Sequence, residues 1–77
     1  MSARATILVI EDEAPIRRGI VDALKFEGYA ALESADGESG LKSALHADAD
    51  LILLDLNLPG LPGIEILKEV RRARPSL

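Results

Sequence analysis

TILVIED, at positions 6–12, and LILLD, at positions 51–55, decide the fold of this 77-residue chain. Each stretch is an unbroken run of aliphatic and β-branched residues that ends in acidic residues. Continuous apolar runs of this length are typical of strands that are buried on both faces of a parallel sheet. The two stretches therefore predict strands at Thr6–Ile10 and Leu51–Leu54.

Helical patterns separate the predicted strands. Pro15 suits a first helical turn, and Gly28 suits the residue after a helix end. A weaker strand pattern covers Tyr29–Glu33, Asp36 can cap a second helix, and a third helix pattern runs from about Ile64 to Arg74. The order β-α-β-α-β-α predicts an α/β fold with parallel strands joined by right-handed crossovers.

The apolar residues within the helical patterns predict which side of each helix faces the sheet. In the first and third helices, the apolar residues recur at spacings of three or four residues. The predicted inward residues are Ile16, Ile20, Ala23 and Leu24 in the first helix, and Ile64, Leu67 and Val70 in the third.

The composition restricts the classes of function. The absence of cysteine excludes disulfides and thiolate metal sites, and the single histidine, His46, argues against a histidine-based metal site or a Ser/His/Asp triad. The net charge of −4 argues against a nucleic-acid surface. No apolar run approaches the ~20 residues that span a bilayer, and no signal peptide is evident. We therefore expect one small, soluble, cytoplasmic domain without a membrane partner.

Acidic residues follow two of the predicted strands. Glu11 and Asp12 come after the first strand, and Asp55 comes after the third. The carboxyl ends of parallel strands lie at one edge of a sheet, where open α/β sheets bind ligands, and a strand order of 2-1-3 would make these two strands neighbours. Acidic residues in this position are often helix caps. Asp55 fits that explanation poorly, because it enters a Pro/Gly-rich loop without an adjacent counter-charge.

Three carboxylates held together favour a bound cation. Their mutual repulsion raises their proton affinity unless a cation intervenes. Mg²⁺ prefers oxygen ligands and typically uses one or two carboxylates together with phosphate oxygens. An Asp carboxylate can itself attack phosphorus, and a metal can stabilise charge on the transferring group. The pattern therefore predicts that Asp55 accepts a phosphoryl group with the help of Mg²⁺.

Two motifs resemble the acidic signatures of bacterial response-regulator receiver domains. They are ILVIEDE at positions 7–13 and LILLDLNLPG at positions 51–60. EDEAPIRR, at positions 11–18, further resembles the receivers of transcription-regulating members. The resemblance implies a flavodoxin-like fold with strands in the order 2-1-3, and a sensor histidine kinase as the phosphodonor.

The resemblance also implies a role for each acidic residue. Asp55 would be the phosphoacceptor and a metal ligand. Asp12 would bind Mg²⁺ directly, Glu11 would act on the metal through water, and Asn57 would offer its backbone carbonyl. The cofactor implied is Mg²⁺.

The resemblance extends to the loop after the phosphoacceptor. It implies that Pro59 and Gly63 shape this loop. Pro62 stands where the family often has Asp, and this departure bears only on the local loop geometry. A family receiver continues for two more strands and two more helices, so residues 1–77 are expected to form a partial receiver domain. The missing part would carry a Ser/Thr and a Lys of the site, so we expect weak Mg²⁺ binding and poor phosphorylation.

A partial domain also predicts an exposed sheet edge. Leu51–Leu54 would lack a neighbour on one side, and such an edge is a template for pairing with another chain. We therefore expect a homodimer in which third strands meet or elements are exchanged. Contact with nucleic acid would need an output domain that the chain lacks.

Two alternative functions come from other classes. An Asp-nucleophile phosphohydrolase would need a general-acid Asp two positions after its nucleophile. Asn57 stands two positions after Asp55, and Ala14 stands two positions after Asp12, so this alternative ranks below a receiver. The other alternative is a self-associating structural half-domain in which the acidic site is a relic.

Overall fold

The three predicted strands form one parallel sheet. In the computed structural model, which describes residues 4–56, 58 and 60–75, the sheet has the order β2-β1-β3, as predicted. Helices follow each strand. The elements are β1 (Thr6–Ile10), α1 (Ala14–Phe26), β2 (Ala30–Ser34), α2 (Gly37–His46), β3 (Leu51–Leu54) and α3 (Gly63–Ala73).

Local signals set the helix ends. Asp36 caps α2 as predicted, because its side chain accepts a hydrogen bond of 2.8 Å from the Ser39 amide. Gly28 ends the turn after α1 with a φ of 95°, in the left-handed region that favours glycine. Tyr29 was predicted to begin β2, but its amide donates to Leu24 O at 3.0 Å and closes the end of α1. For that reason β2 starts one residue later.

The central strand β1 is buried on both faces. Leu8 and Ile10 lie in a core with Ile66 and Val70 of α3, and on the opposite face Ile7 and Val9 pack with residues of α1. Because β1 pairs with β2 on one side and β3 on the other, its backbone is hydrogen-bonded along both edges. The sequence prediction for β1 is therefore confirmed.

The strand β3 is less covered than its sequence predicted. Leu51 and Leu53 remain 50% and 38% exposed, and only Ile52 and Leu54 pack against the core below α2 and α3. The helix on the other face, α1, packs against β1 and β2 and so leaves this side of β3 open. Among the described residues β3 is an edge strand, as expected from the sequence.

The predicted inward faces of two helices are confirmed only in part. Ile20, Leu24 and Val70 pack against the core as predicted, but other residues do not. In α3, Ile64 and Leu67 are 46% and 42% exposed, whereas Ile66 is fully buried. The reason is that Gly63 packs against the backbone of Asp55 and Leu56, just after β3. Ile66 and Val70, three and seven positions later in the helix, then face the same way. In α1 the buried residue is Val21; Ile16 and Ala23 are exposed.

Arg74 joins the two helices on one face of the sheet. It was predicted to end α3, but the helix stops at Ala73. Its guanidinium donates to the carbonyl oxygens of Ala44 and Ala47 at 2.9 and 3.0 Å, and to that of Ala49 at 3.4 Å. These contacts satisfy carbonyls at the end of α2 and fasten the segment that leads into β3. Within the described part of the chain, no helix has the length and apolar character needed to cross a membrane.

Candidate functional site

The predicted acidic residues meet at the carboxyl edge of the sheet. Glu11, Asp12 and Asp55 each offer a carboxylate oxygen, and these three atoms lie within 4.8 Å of one another. The parallel register places Ile10 beside Leu54, so the residues that follow β1 and β3 become neighbours. Glu11 is buried, and Asp12 and Asp55 are half-buried. A juxtaposition across 43 sequence positions thus follows from the strand order.

Backbone hydrogen bonds fix the residues at this edge. The Glu11 amide donates to Ser34 O at 3.1 Å, and the Asp55 amide donates to Ile10 O at 3.1 Å. Both bonds continue the hydrogen bonding of the sheet by one residue beyond the ends of β1 and β3. The Glu11 carboxylate also accepts from the Glu13 amide at 3.1 Å, which holds it over the turn between β1 and α1.

The electrostatics of the site reflect crowded negative charge. The hydrogen bond from the Glu13 amide lowers the pKa of Glu11, but burial, the charge of Asp55 and hydrogen bonds with the Asp12 and Asp55 carboxyls outweigh it. The pKa of Glu11 is therefore raised above its ordinary value. A proton or a cation relieves this repulsion, as expected for a carboxylate cluster.

Arg17 of α1 binds the backbone of the acidic site and a side chain of β2. Its Nη1 donates to Glu11 O at 2.9 Å, and its Nε pairs with Glu33 Oε1 of β2 at 3.0 Å. The sequence reasoning missed this residue. A signal exists, since Arg17 shares a helical stripe with the inward Ile20, Val21 and Leu24, whereas the adjacent Arg18 does not.

The start of α3 lies directly against the backbone that follows β3. A Cβ atom at Gly63 would lie 2.6 Å from Asp55 O and 2.6 Å from Leu56 Cα. Only glycine permits this approach, so the helix entry and the Asp55 backbone are tightly matched. Asn57 and Pro59, which were also predicted to serve the site, lie outside the described residues.

The comparison with known families agrees with this geometry. Residues 7–77 match the family described as response regulator receiver domain. The chain belongs to this family. The sequence resemblance and the α/β fold class are confirmed by this match and by the strand order of the sheet.

Relatives of this receiver domain include transcriptional regulatory proteins. The transcriptional regulatory protein ResD of Bacillus subtilis is 44% identical over 70 residues, which are 91% of this chain and 29% of ResD. The receiver domain thus spans less than a third of that relative.

Solved structures similar to this receiver domain share its fold. A CheY-like receiver domain from Methanospirillum hungatei matches with a TM-score of 0.91 and 30% identity, over 95% of this chain and 58% of that one. TrrA from Thermotoga maritima, solved with Mg²⁺-BeF, matches with a TM-score of 0.89 and 35% identity, over 92% of this chain and 62% of TrrA. TrrA has also been solved in complex with the histidine kinase ThkA. These matches confirm the flavodoxin-like arrangement.

Proposed function

We propose that this receiver domain accepts a phosphoryl group on Asp55 with the help of Mg²⁺. The observation that carries the proposal is the meeting of three carboxylates within 4.8 Å at the ends of β1 and β3. Asp55 is half-buried, so its side chain is held in place and still reachable.

The donor set fits a hard divalent cation. Only oxygen atoms are offered, and the raised pKa of Glu11 reports uncompensated negative charge that a cation would relieve. Asp12 and Asp55 would hold the ion directly, Glu11 would act through water, and Asn57 would contribute its backbone carbonyl. When bound, Mg²⁺ neutralises charge on the transferring phosphoryl group. TrrA, solved with Mg²⁺-BeF, supports this choice of metal.

In the proposed transfer Asp55 is the nucleophile. A carboxylate oxygen of Asp55 forms a bond to phosphorus, and the bond between phosphorus and the donor breaks with its electron pair going to the donor. The hydrogen bond from the Asp55 amide to Ile10 O keeps the backbone fixed while the side chain reacts. Gly63 permits α3 to approach the next peptide, which joins Asp55 to Leu56.

The donor would approach through a groove beside Asp55. This groove has a volume of ≈ 390 Å³, and its lining includes Ile16, Ile20 and Leu53. We propose a sensor histidine kinase as the phosphodonor in the cytoplasm, and the complex of TrrA with a histidine kinase supports this class of partner. Contact with nucleic acid would come only through an output domain outside residues 1–77.

A phosphoacceptor role explains the site better than hydrolytic turnover. Asn57, two positions after Asp55, offers no carboxyl group as the general acid of a phosphohydrolase. We therefore propose a signalling domain rather than an enzyme, with limited Mg²⁺-dependent self-phosphorylation from small donors. The reaction should be slow, because among the described residues that line the groove beside Asp55 none is a lysine.

Mass spectrometry tests the acceptor. The chain is incubated with acetyl phosphate and Mg²⁺, and we expect a slow gain of one phosphoryl group that disappears when Mg²⁺ is removed. Asp55→Asn should abolish the gain, and Asp48→Asn, which changes an exposed carboxylate in the connection before β3, should preserve it. A gain that persists in Asp55→Asn, or no gain in any variant, would contradict the proposal.

We further propose that the chain forms a homodimer through the β3 edge. One side of β3 has no strand neighbour among the described residues, and Leu51, Leu53, Ile64 and Leu67 expose apolar surface around it. A second copy can pair with such an edge and cover these side chains. Light scattering should give the mass of a dimer that becomes a monomer in Leu53→Lys. A wild-type monomer at high concentration would refute this association.

A further inference from the structure

We propose that Arg17 is a positioning residue that sets the orientation of the Glu11 and Asp12 carboxylates, and that it is itself anchored by Glu33. The inference rests on the proposed function, because those carboxylates are assigned there to the Mg²⁺ site. Arg17 need not contact the metal or the phosphoryl group.

The hydrogen bond from Arg17 to Glu11 O lets Arg17 affect how the nearby carboxylates are placed. The Glu11 carbonyl belongs to the peptide that joins Glu11 to Asp12, and a peptide unit is planar. Arg17 Nη1 holds this carbonyl at 2.9 Å, while the preceding peptide is held by the Glu11 amide bond to Ser34 O. With both peptides fixed, the direction in which the Glu11 side chain leaves the backbone is fixed, and so is the position of the Asp12 Cα atom from which the second carboxylate starts.

The fork of the guanidinium suits this task. Nε of Arg17 pairs with Glu33 Oε1 at 3.0 Å, and Nη1 reaches Glu11 O, so one rigid planar group bridges β2 and the turn after β1. Only 14% of the Arg17 side chain is exposed, compared with 46% for Glu33. A lysine ammonium lacks the planar fork and cannot reproduce both contacts with the same geometry.

Charge alone predicts the opposite effect. Arg17 is a cation near a site proposed to bind a dication, so its removal should strengthen Mg²⁺ binding by electrostatics. Positioning predicts that its removal weakens binding. The two explanations therefore differ in sign for Arg17→Gln. They also differ for Arg17→Lys, which keeps the charge and should leave binding unchanged if only charge matters.

The test compares Mg²⁺ affinity across matched variants by calorimetric titration. We expect Arg17→Gln to weaken binding by about 10-fold or more, as for other residues that orient metal ligands, and Arg17→Lys to weaken it less. Arg18→Gln is the control: it removes the same charge from the next residue of α1, whose exposed side chain makes no hydrogen bond or ion pair within the described residues. Affinity in folded Arg17→Gln equal to or tighter than wild type would overturn the proposal.

A metal-free readout separates this inference from the proposed function. The Glu13 amide donates to Glu11 Oε2, so a well-oriented Glu11 protects that amide from hydrogen exchange. Arg17→Lys should speed exchange at Glu13 and leave the Ala47 amide, bound to Ser43 O in α2, unchanged. If wild type binds no Mg²⁺, the proposed cofactor fails, and the exchange result still decides the role of Arg17.

Two exchange outcomes would count against positioning. Unchanged exchange at Glu13 in Arg17→Lys would show that Glu11 keeps its orientation without the fork. Faster exchange at Glu13 and Ala47 alike, or loss of folding in Arg17→Lys, would show a general structural role instead. Circular dichroism of each variant provides the check on folding.

Discussion

The strands β1 and β3 look alike in sequence and differ in the fold. Both are runs of aliphatic residues that end in an acidic site, but β1 is buried along both faces while Leu51 and Leu53 of β3 are half exposed. The difference comes from position: β1 has a strand on each side and helices on both faces, whereas α1 does not extend over β3. An apolar run therefore predicts a strand, but its burial depends on what packs around it.

This contrast divides the candidate site into two parts. Glu11 and Asp12 leave the best-supported strand of the sheet, and Asp55 leaves an edge strand. The acceptor carboxylate thus follows a less covered strand than its two neighbours do. For that reason, contacts at the two ends of β3 gain importance. Arg74 holds the segment that leads into the strand, and Gly63 packs against the backbone that leaves it.

The largest expected effect contrasts a leucine of each strand. Leu8 is fully buried and Leu51 is 50% exposed. Leu8→Ala should cost about 2–5 kcal/mol of unfolding free energy, because it leaves a cavity in the core. Leu51→Ala should cost about 1 kcal/mol or less, because little of its burial is lost. Urea unfolding followed by circular dichroism measures both, and equal losses would mean that β3 is as buried as β1.

The second prediction tests how tightly α3 is fitted to the end of β3. Gly63→Ala places a Cβ against the backbone of Asp55 and Leu56, which cannot rotate away, so it should cost about 1–3 kcal/mol. Gly19→Ala adds a Cβ that meets nothing within 4 Å in an exposed part of α1 and should stabilise by up to about 1 kcal/mol. Thermal unfolding of the two variants should move in opposite directions. A stabilising Gly63→Ala would contradict the close approach.

The third prediction concerns the entrance to β3. Arg74→Met removes the donor to the carbonyls of Ala44, Ala47 and Ala49 and should cost about 1–2 kcal/mol. Arg72→Met, which loses only an exposed ion pair with Glu69, should cost about 0.5 kcal/mol or less. Chemical denaturation distinguishes the two, and a cost no greater for Arg74→Met would refute the proposed fastening.

The smallest effect is a pH dependence at the end of β1. The pKa of Glu11 in the folded chain lies above its ordinary value of 4.5. Between pH 4.5 and the folded pKa, the folded chain therefore binds more protons than the unfolded chain. The contribution of Glu11 to the free energy of unfolding is therefore fully present below pH 4.5 and is lost as the pH rises through the folded pKa. Without Mg²⁺, the stability of Glu11→Gln relative to wild type should rise with pH over this interval. A difference that stays constant with pH would count against crowding at Glu11.

Much of this fold could be predicted from local sequence. The parallel strands followed from the alternating elements, and the Asp36 cap followed from its residue type. The strand order 2-1-3 came from the resemblance to receiver domains. The inward faces of α1 and α3 could not be predicted fully, because contacts with the sheet, such as that of Gly63 with Asp55, set the rotation of a helix. Arg17 and Arg18 are adjacent and chemically identical. Helical spacing places Arg17 on the inward stripe, but only the fold shows that it reaches Glu11 O.

Mg²⁺ titration of single-site variants tests most directly whether β1 and β3 together build one metal site around the acceptor. Amide chemical shifts are followed by nuclear magnetic resonance in wild type, Asp12→Asn, Asp55→Asn and the remote control Asp48→Asn. We predict that Asp12→Asn and Asp55→Asn each weaken Mg²⁺ binding strongly, and that Asp48→Asn binds as wild type does. Wild-type affinity in Asp12→Asn or Asp55→Asn would contradict the shared site.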